Sequence, residues 1–77
     1  MYKTTIEHIE QFDFADKANK DYQYLLWMCG EIKTMTDPFR AGRWIGYVNR
    51  MVEELGFWDN VTTRTYIRED VISGNDR

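Results

Sequence analysis

Residues 37–56 read DPFRAGRWIGYVNRMVEELG, and this stretch decides the fold. Asp37 suits an N-cap, because its carboxylate can accept a backbone N–H of the first turn. Pro38 has the fixed φ of a first helical residue. At about 100° per residue, Ala41, Trp44, Ile45, Val48, Met51, Val52 and Leu55 gather within an arc of about 120°. Gly56 follows Leu55 directly, where a left-handed residue closes a helix, and Phe57 can then pack back on the last turn. These signals predict a helix over 38–55.

The same helix carries two further strips. Gly42 and Gly46 lie one turn apart and project with Asn49 and Glu53, away from the apolar stripe. Each interior glycine costs up to about 1 kcal/mol relative to alanine, so the pair implies close approach of another backbone. That backbone belongs to this bundle, to another copy or to another protein. Arg40, Arg43, Tyr47 and Arg50 follow at spacings of three, four and three, within an arc of about 80°. Arginine forks and a tyrosine ring suit a phosphate-bearing ligand; the same strip also reads as a solvated face paired with nearby acids.

Working outward, Ala18, Tyr22, Leu25, Cys29, Ile32 and Thr36 alternate spacings of four and three, the seam of a helix over 13–36. Pro38 stops it, since the residue before a proline avoids the helical region. Residues 1–12 admit two readings. Thr4 and Glu7 have capping-box spacing and Ile6, Ile9 and Phe12 recur every three, which favours a short helix. The Thr-Thr-Ile run suits a strand. After a short link, Asp59 or Asn60 can cap a helix over 60–72, with Val61, Ile67, Val71 and Ile72 as its apolar contacts. A strand through Val61–Ile67 competes but lacks a partner for its backbone groups. The link is short enough to fold this helix back against the preceding one. Residues 73–77 read as a frayed tail.

The expectation is an all-α protein: one domain over 1–77, a small antiparallel bundle of three main helices with a short N-terminal helix as the favoured addition. A chain of 77 residues is marginal on its own core. Cys29 is its only cysteine and His8 its only histidine, so neither a disulfide within the chain nor a structural zinc site is expected. Aromatic residues make up 16% of the chain, more than a core of this size holds comfortably. Trp27, Phe39 and Trp58 are the surplus, fit either to cap the core's ends or to anchor an interface. The net charge of −3 disfavours nucleic acid and anionic membranes as partners. No apolar run approaches membrane-spanning length and no secretory signal is evident, so a cytoplasmic setting is expected. No catalytic residue, metal-ligand set or cofactor site is expected: Cys29 lies on a buried seam, and no phosphate loop or calcium loop is written.

Gly42-Arg43-Trp44-Ile45-Gly46-Tyr47-Val48, continuing to Glu54-Leu55-Gly56, resembles a helix of small phage proteins, with Asn49 where those have glutamine. The resemblance spans roughly residues 37–72 and implies a virus-encoded accessory protein of the host cytoplasm. The Arg-Trp-Ile segment is also similar to one in phage proteins that sequester cyclic-nucleotide signals, without the rest of that pattern. Together these readings favour a non-enzymatic, self-associating interaction protein, a dimer with Gly42, Gly46, Asn49, Trp27, Phe39 and Trp58 as interface candidates, which also occupies a host protein. The alternative is a binder of a nucleotide or cyclic nucleotide through Arg40, Arg43, Tyr47 and Arg50.

Overall fold

The computed structural model describes residues 1–74 and contains four helices, with no strand among the described residues. They are α1 (Lys3–Gln11), α2 (Lys20–Thr34), α3 (Pro38–Glu54) and α4 (Asn60–Ser73). Helix is therefore the outcome at both ambiguous segments, 1–12 and 61–67.

α3 follows its local signals. The Asp37 carboxylate accepts the Phe39 N–H at 3.0 Å, and Pro38 opens the first turn. At the other end Gly56 takes φ 79°, with its N–H donated to the Glu53 carbonyl and the Phe57 N–H to the Val52 carbonyl. That pair of bonds satisfies two carbonyls that the last turn leaves open.

α2 begins at Lys20, later than the seam predicts, and stops at Thr34. The Asn19 side chain accepts the N–H groups of Asp21 and Tyr22, while Asp16 takes the Ala18 N–H. Side-chain acceptors thus compete with helix formation over 13–19. Phe12 and Phe14 both pack on Phe57, a spacing of two that an extended segment provides and a helix does not. Ala18 and Thr36, expected on the seam, are exposed.

α1 has an unusual start. Its N-cap residue Tyr2 is left-handed (φ 57°) and offers no side-chain cap. The expected Thr4–Glu7 capping box does not form. Asp70 of α4 supplies the acceptors instead: the Thr4 N–H donates to its Oδ1 at 2.7 Å, the Thr5 N–H to its Oδ2 at 3.1 Å, and the Thr5 hydroxyl also to Oδ2. Both Thr5 and Asp70 are fully buried.

α4 opens on Asp59, which accepts the Thr62 N–H at 3.0 Å. Its β-branched threonines sit in a helix because their hydroxyls bond backward, Thr65 to the Val61 carbonyl and Thr63 to that of Asp59. Ser73 is its last residue and Gly74 its left-handed cap. The rest of the expected tail, 75–77, lies outside the described residues.

The core is built from Ile6 and Ile9 of α1, Tyr22, Leu25, Met28, Cys29 and Ile32 of α2, Ala41, Ile45, Val48 and Val52 of α3, and Phe57. α2 and α3 form the main hairpin, α1 lies on α2, and α4 packs on α1 rather than chiefly on α3. α4 also departs from its expected apolar contacts: Val61, Val71 and Ile72 are exposed, and only Ile67 joins the core's edge. Its buried residues are Thr63 and Asp70, both polar. Hydrogen bonds to α1, not an apolar stripe, decide which neighbour it takes.

Candidate functional site

The two-helix layer of α2 and α3 leaves a groove of about 530 Å³ on its outer side. Tyr24 and Met28 line it from α2, one turn apart beside the buried Leu25. Trp44, Tyr47, Arg50, Met51 and Glu54 line it from α3, at spacings of three and four that place them along one flank of the core stripe. The volume is that of an ordinary ligand or peptide pocket.

Aromatic rings continue the groove toward the start of α3. Tyr24 meets Trp27 edge-on at 5.6 Å, Trp27 meets Trp44 at 5.7 Å, and the Arg40 guanidinium lies 5.5 Å from the Trp44 ring centroid. Tyr24, Trp27 and Tyr47 are 49%, 53% and 64% exposed, so this patch is open to a partner rather than folded into the core. At the far end Asp21, Met51, Glu54 and Leu55 share a smaller recess. The charged side chains that line the groove are Arg50 and Glu54, while Arg40 shares a separate recess with Glu31 and Asp37. Arg50 pairs with Glu54 at 3.2 Å; Arg43 makes no ion pair among the described residues.

The structure divides the residues singled out from sequence among four places. Tyr47 and Arg50 line the groove, Trp27 and Arg40 touch its Trp44 from outside the lining, and Arg43 is exposed beyond it. Gly42, Gly46 and Asn49 lie on the opposite flank of α3. A Cβ on Gly42 would come 3.5 Å from the Tyr2 hydroxyl, an ordinary contact, and one on Gly46 would meet nothing within 4 Å. Among the described residues, then, no backbone approaches the glycine pair closely. The Asn49 side-chain oxygen beside them is buried with no hydrogen-bond partner among the described residues. Phe39 stands alone at the first turn of α3, 81% exposed.

Trp58 belongs elsewhere, in a cluster that joins α1 to α4. Its Nε1 donates to the Thr63 hydroxyl at 3.1 Å, and its ring meets Tyr66, Phe57 and Phe12 edge-on. His8 completes this cluster by stacking on Tyr66 at 3.8 Å. Its Nδ1 lies 2.7 Å from the Thr4 carbonyl, which can only accept, so Nδ1 carries the proton. Cys29 is sealed in the core, and burial pushes its thiol up to about 12, far from a nucleophile's range.

Tyr24 and Met28 were not among the sequence candidates for this site. The signal was present: Tyr24 sits one position off the α2 seam, and a large ring there must lie at the seam's margin. No group of three or more His, Cys, Asp or Glu side chains that could hold a metal occurs among the described residues, and no helix in them is long and apolar enough to cross a membrane. Comparisons with protein-family models, curated proteins and solved structures return no match.

Proposed function

We propose that the chain is a non-enzymatic interaction protein that binds a protein partner through the α2–α3 groove. The observation that carries this reading is the run of rings in which exposed Tyr24, Trp27 and Tyr47 surround the half-buried Trp44, with Arg40, Arg50 and two methionines beside it. Tryptophan, tyrosine, methionine and arginine are the residues enriched at the energetic centres of protein interfaces. An accessory role for a virus-encoded protein, acting in the host cytoplasm by occupying a surface, is the setting this reading adopts from the Arg-Trp-Ile-Gly helix.

The alternative, a nucleotide or cyclic nucleotide held by Arg40, Arg43, Tyr47 and Arg50, draws less support from the geometry. At 1.5 Å per residue the outer two arginines are separated by about 15 Å along the helix, too far to clamp one phosphate. Arg50 is also engaged with Glu54. Thermal-shift screening against nucleotides and cyclic dinucleotides tests that reading directly, and a clear rise in melting temperature would restore it.

The interaction reading is tested by affinity capture from cells that produce the protein, comparing the wild type with a Trp27→Ala/Tyr47→Ala pair. Both side chains are more than half exposed, so the pair should remain folded. Proteins retained by the wild type should be lost with the variant. Equal retention by both removes the groove from the interaction.

A further inference from the structure

We propose that α4 is a releasable strap: it lifts and melts as one unit, baring the head of α1, while α2 and α3 stay folded, and proteolysis of the native protein begins there. The proposal is independent of what the groove binds. Three observations lead to it.

The first is where the apolar core ends. Among the described residues, every buried apolar side chain lies between Ile6 and Phe57, and α4 supplies none. Ile67 reaches only the core's edge, while Val61, Val71 and Ile72 face solvent. Lifting α4 away therefore leaves the greater part of the apolar burial in place, and that burial is the main source of stability.

The second is the chemistry that holds α4. Its ties are polar or lie near the surface: Asp70 to the head of α1, the Trp58 indole to the Thr63 hydroxyl, and Tyr66 stacked on His8. When both partners of a hydrogen bond separate into water, each finds a new partner and the net loss is small. Truncating one partner is different, because the other stays buried and unpaired. These ties fix the register of α4 on α1, yet its release loses far less than opening the core.

The third is the make-up of α4 and of its hinge. Half of its 14 residues are β-branched, and a helix of that length and composition does not persist alone in water. Once lifted, it melts. Upstream, Phe57 stays fixed, buried and stacked on Phe12 and Phe14, with its N–H on the Val52 carbonyl. The hinge is therefore the short run from Trp58 to Asn60. Arg64 and Arg68 then lie in open chain, the form a protease cleaves, whereas Arg40, Arg43 and Arg50, also exposed, remain in α3.

Native-state hydrogen exchange on the whole chain tests this. The Thr5 N–H, bonded to Asp70, and the amides of residues 64–71 should exchange through one shared opening. That opening should be more frequent, by roughly tenfold or more, than the one that exposes residues 25–29 and 48–52. Val48→Ala weakens a core that the opened state retains, so it should lower protection in α2 and α3 by roughly thirtyfold and leave Thr5 and α4 unchanged. Where that variant does not fold, Ile45→Val should give the same pattern at about fivefold. Asp70→Ala removes bonds that neither the opened nor the unfolded chain keeps, so it should lower protection in both groups by one factor. An arginine-specific protease acting on the native chain should cut first after Arg64 or Arg68.

Amides of Thr5 and α4 that exchange in step with those of α2 and α3, and lose protection equally in Val48→Ala, overturn the proposal. So does fraying of α4 with the Thr5 N–H protected to the level of the core. First cleavage after Arg40, Arg43 or Arg50, with α4 intact, overturns it as well.

Discussion

Replacing Asp70 with alanine leaves three donors at the head of α1 without acceptors: the N–H groups of Thr4 and Thr5 and the Thr5 hydroxyl. Asp70 and Thr5 have no exposed surface, so water reaches the Thr5 donors only if α4 moves away. A hydrogen bond to a charged group contributes about 1.5–3 kcal/mol, and loss of an N-cap costs roughly 1–2 kcal/mol; these overlap and do not add in full. We expect Asp70→Ala to cost about 3 kcal/mol, a large part of the 5–15 kcal/mol typical of a domain. For a chain of this size that lowers the melting midpoint by roughly 12–24 °C. Asp70→Asn should recover part of the loss, because its amide oxygen can still accept from the Thr5 N–H and hydroxyl while its NH2 group is set against the Thr4 N–H. Thr5→Val keeps the shape and removes one bond, so it should cost about 1 kcal/mol, and a double-mutant cycle between positions 5 and 70 should show coupling. Urea titration followed by far-ultraviolet circular dichroism measures the wild type and the four variants. A loss below about 1 kcal/mol in Asp70→Ala would refute the view that this carboxylate holds α1 and α4 together.

Three further predictions concern the frame around the groove. Gly56 adopts φ 79° with open space where a Cβ would stand, so Gly56→Ala should cost about 1 kcal/mol from backbone strain alone, read as a lower urea midpoint with an unchanged slope. Thr63→Val removes the acceptor of the Trp58 indole and should cost about 1–2 kcal/mol and alter Trp58 fluorescence, whereas Thr65→Val, whose hydroxyl bonds only along its own helix, should cost less. Cys29 carries a pH signature: burial, with a smaller contribution from Glu10, raises its thiol to about 12, while an unfolded thiol ionises near about 8.5. The folded state holds the proton more tightly, so this contribution is intact below about 8.5 and is lost as pH rises from there toward 12. Stability should fall across that window more steeply in the wild type than in Cys29→Ala; equal slopes would place the thiol in contact with water.

What could be read from the chain depended on how local the governing forces are. α3 was legible in full, because Asp37, Pro38 and Gly56 act on their own turns and the stripe between them repeats at helical spacing. α2 was read too long. Its four-and-three seam extends back to Ala18, but Asn19 and Asp16 offer their own acceptors there, and the pair Phe12 and Phe14 needs an extended chain to reach Phe57. The place of α4 was not legible at all. It is set by hydrogen bonds between residues 65 and 66 apart, and a polar contact at that range leaves no periodic trace. Half of the groove was visible as the Arg40–Tyr47–Arg50 strip. The α2 half was not, because exposure of Tyr24 and Trp27 depends on where α1 and α4 choose to lie. The glycine pair was read as evidence for a close backbone, and none is there among the described residues.

The bond between Asp70 and the head of α1 also sets an order of events during synthesis. α1 leaves the ribosome before α4, yet two of its opening amides find their acceptor only when α4 follows. Until then it is a helix of nine residues with an uncapped start, too short to persist in water by itself. The hairpin of α2 and α3 can assemble while α1 waits. α1 is thus made well before the helix that secures it, and a nascent chain halted before Asp70 would present Ile6 and Ile9 to whatever chaperone or protease is near.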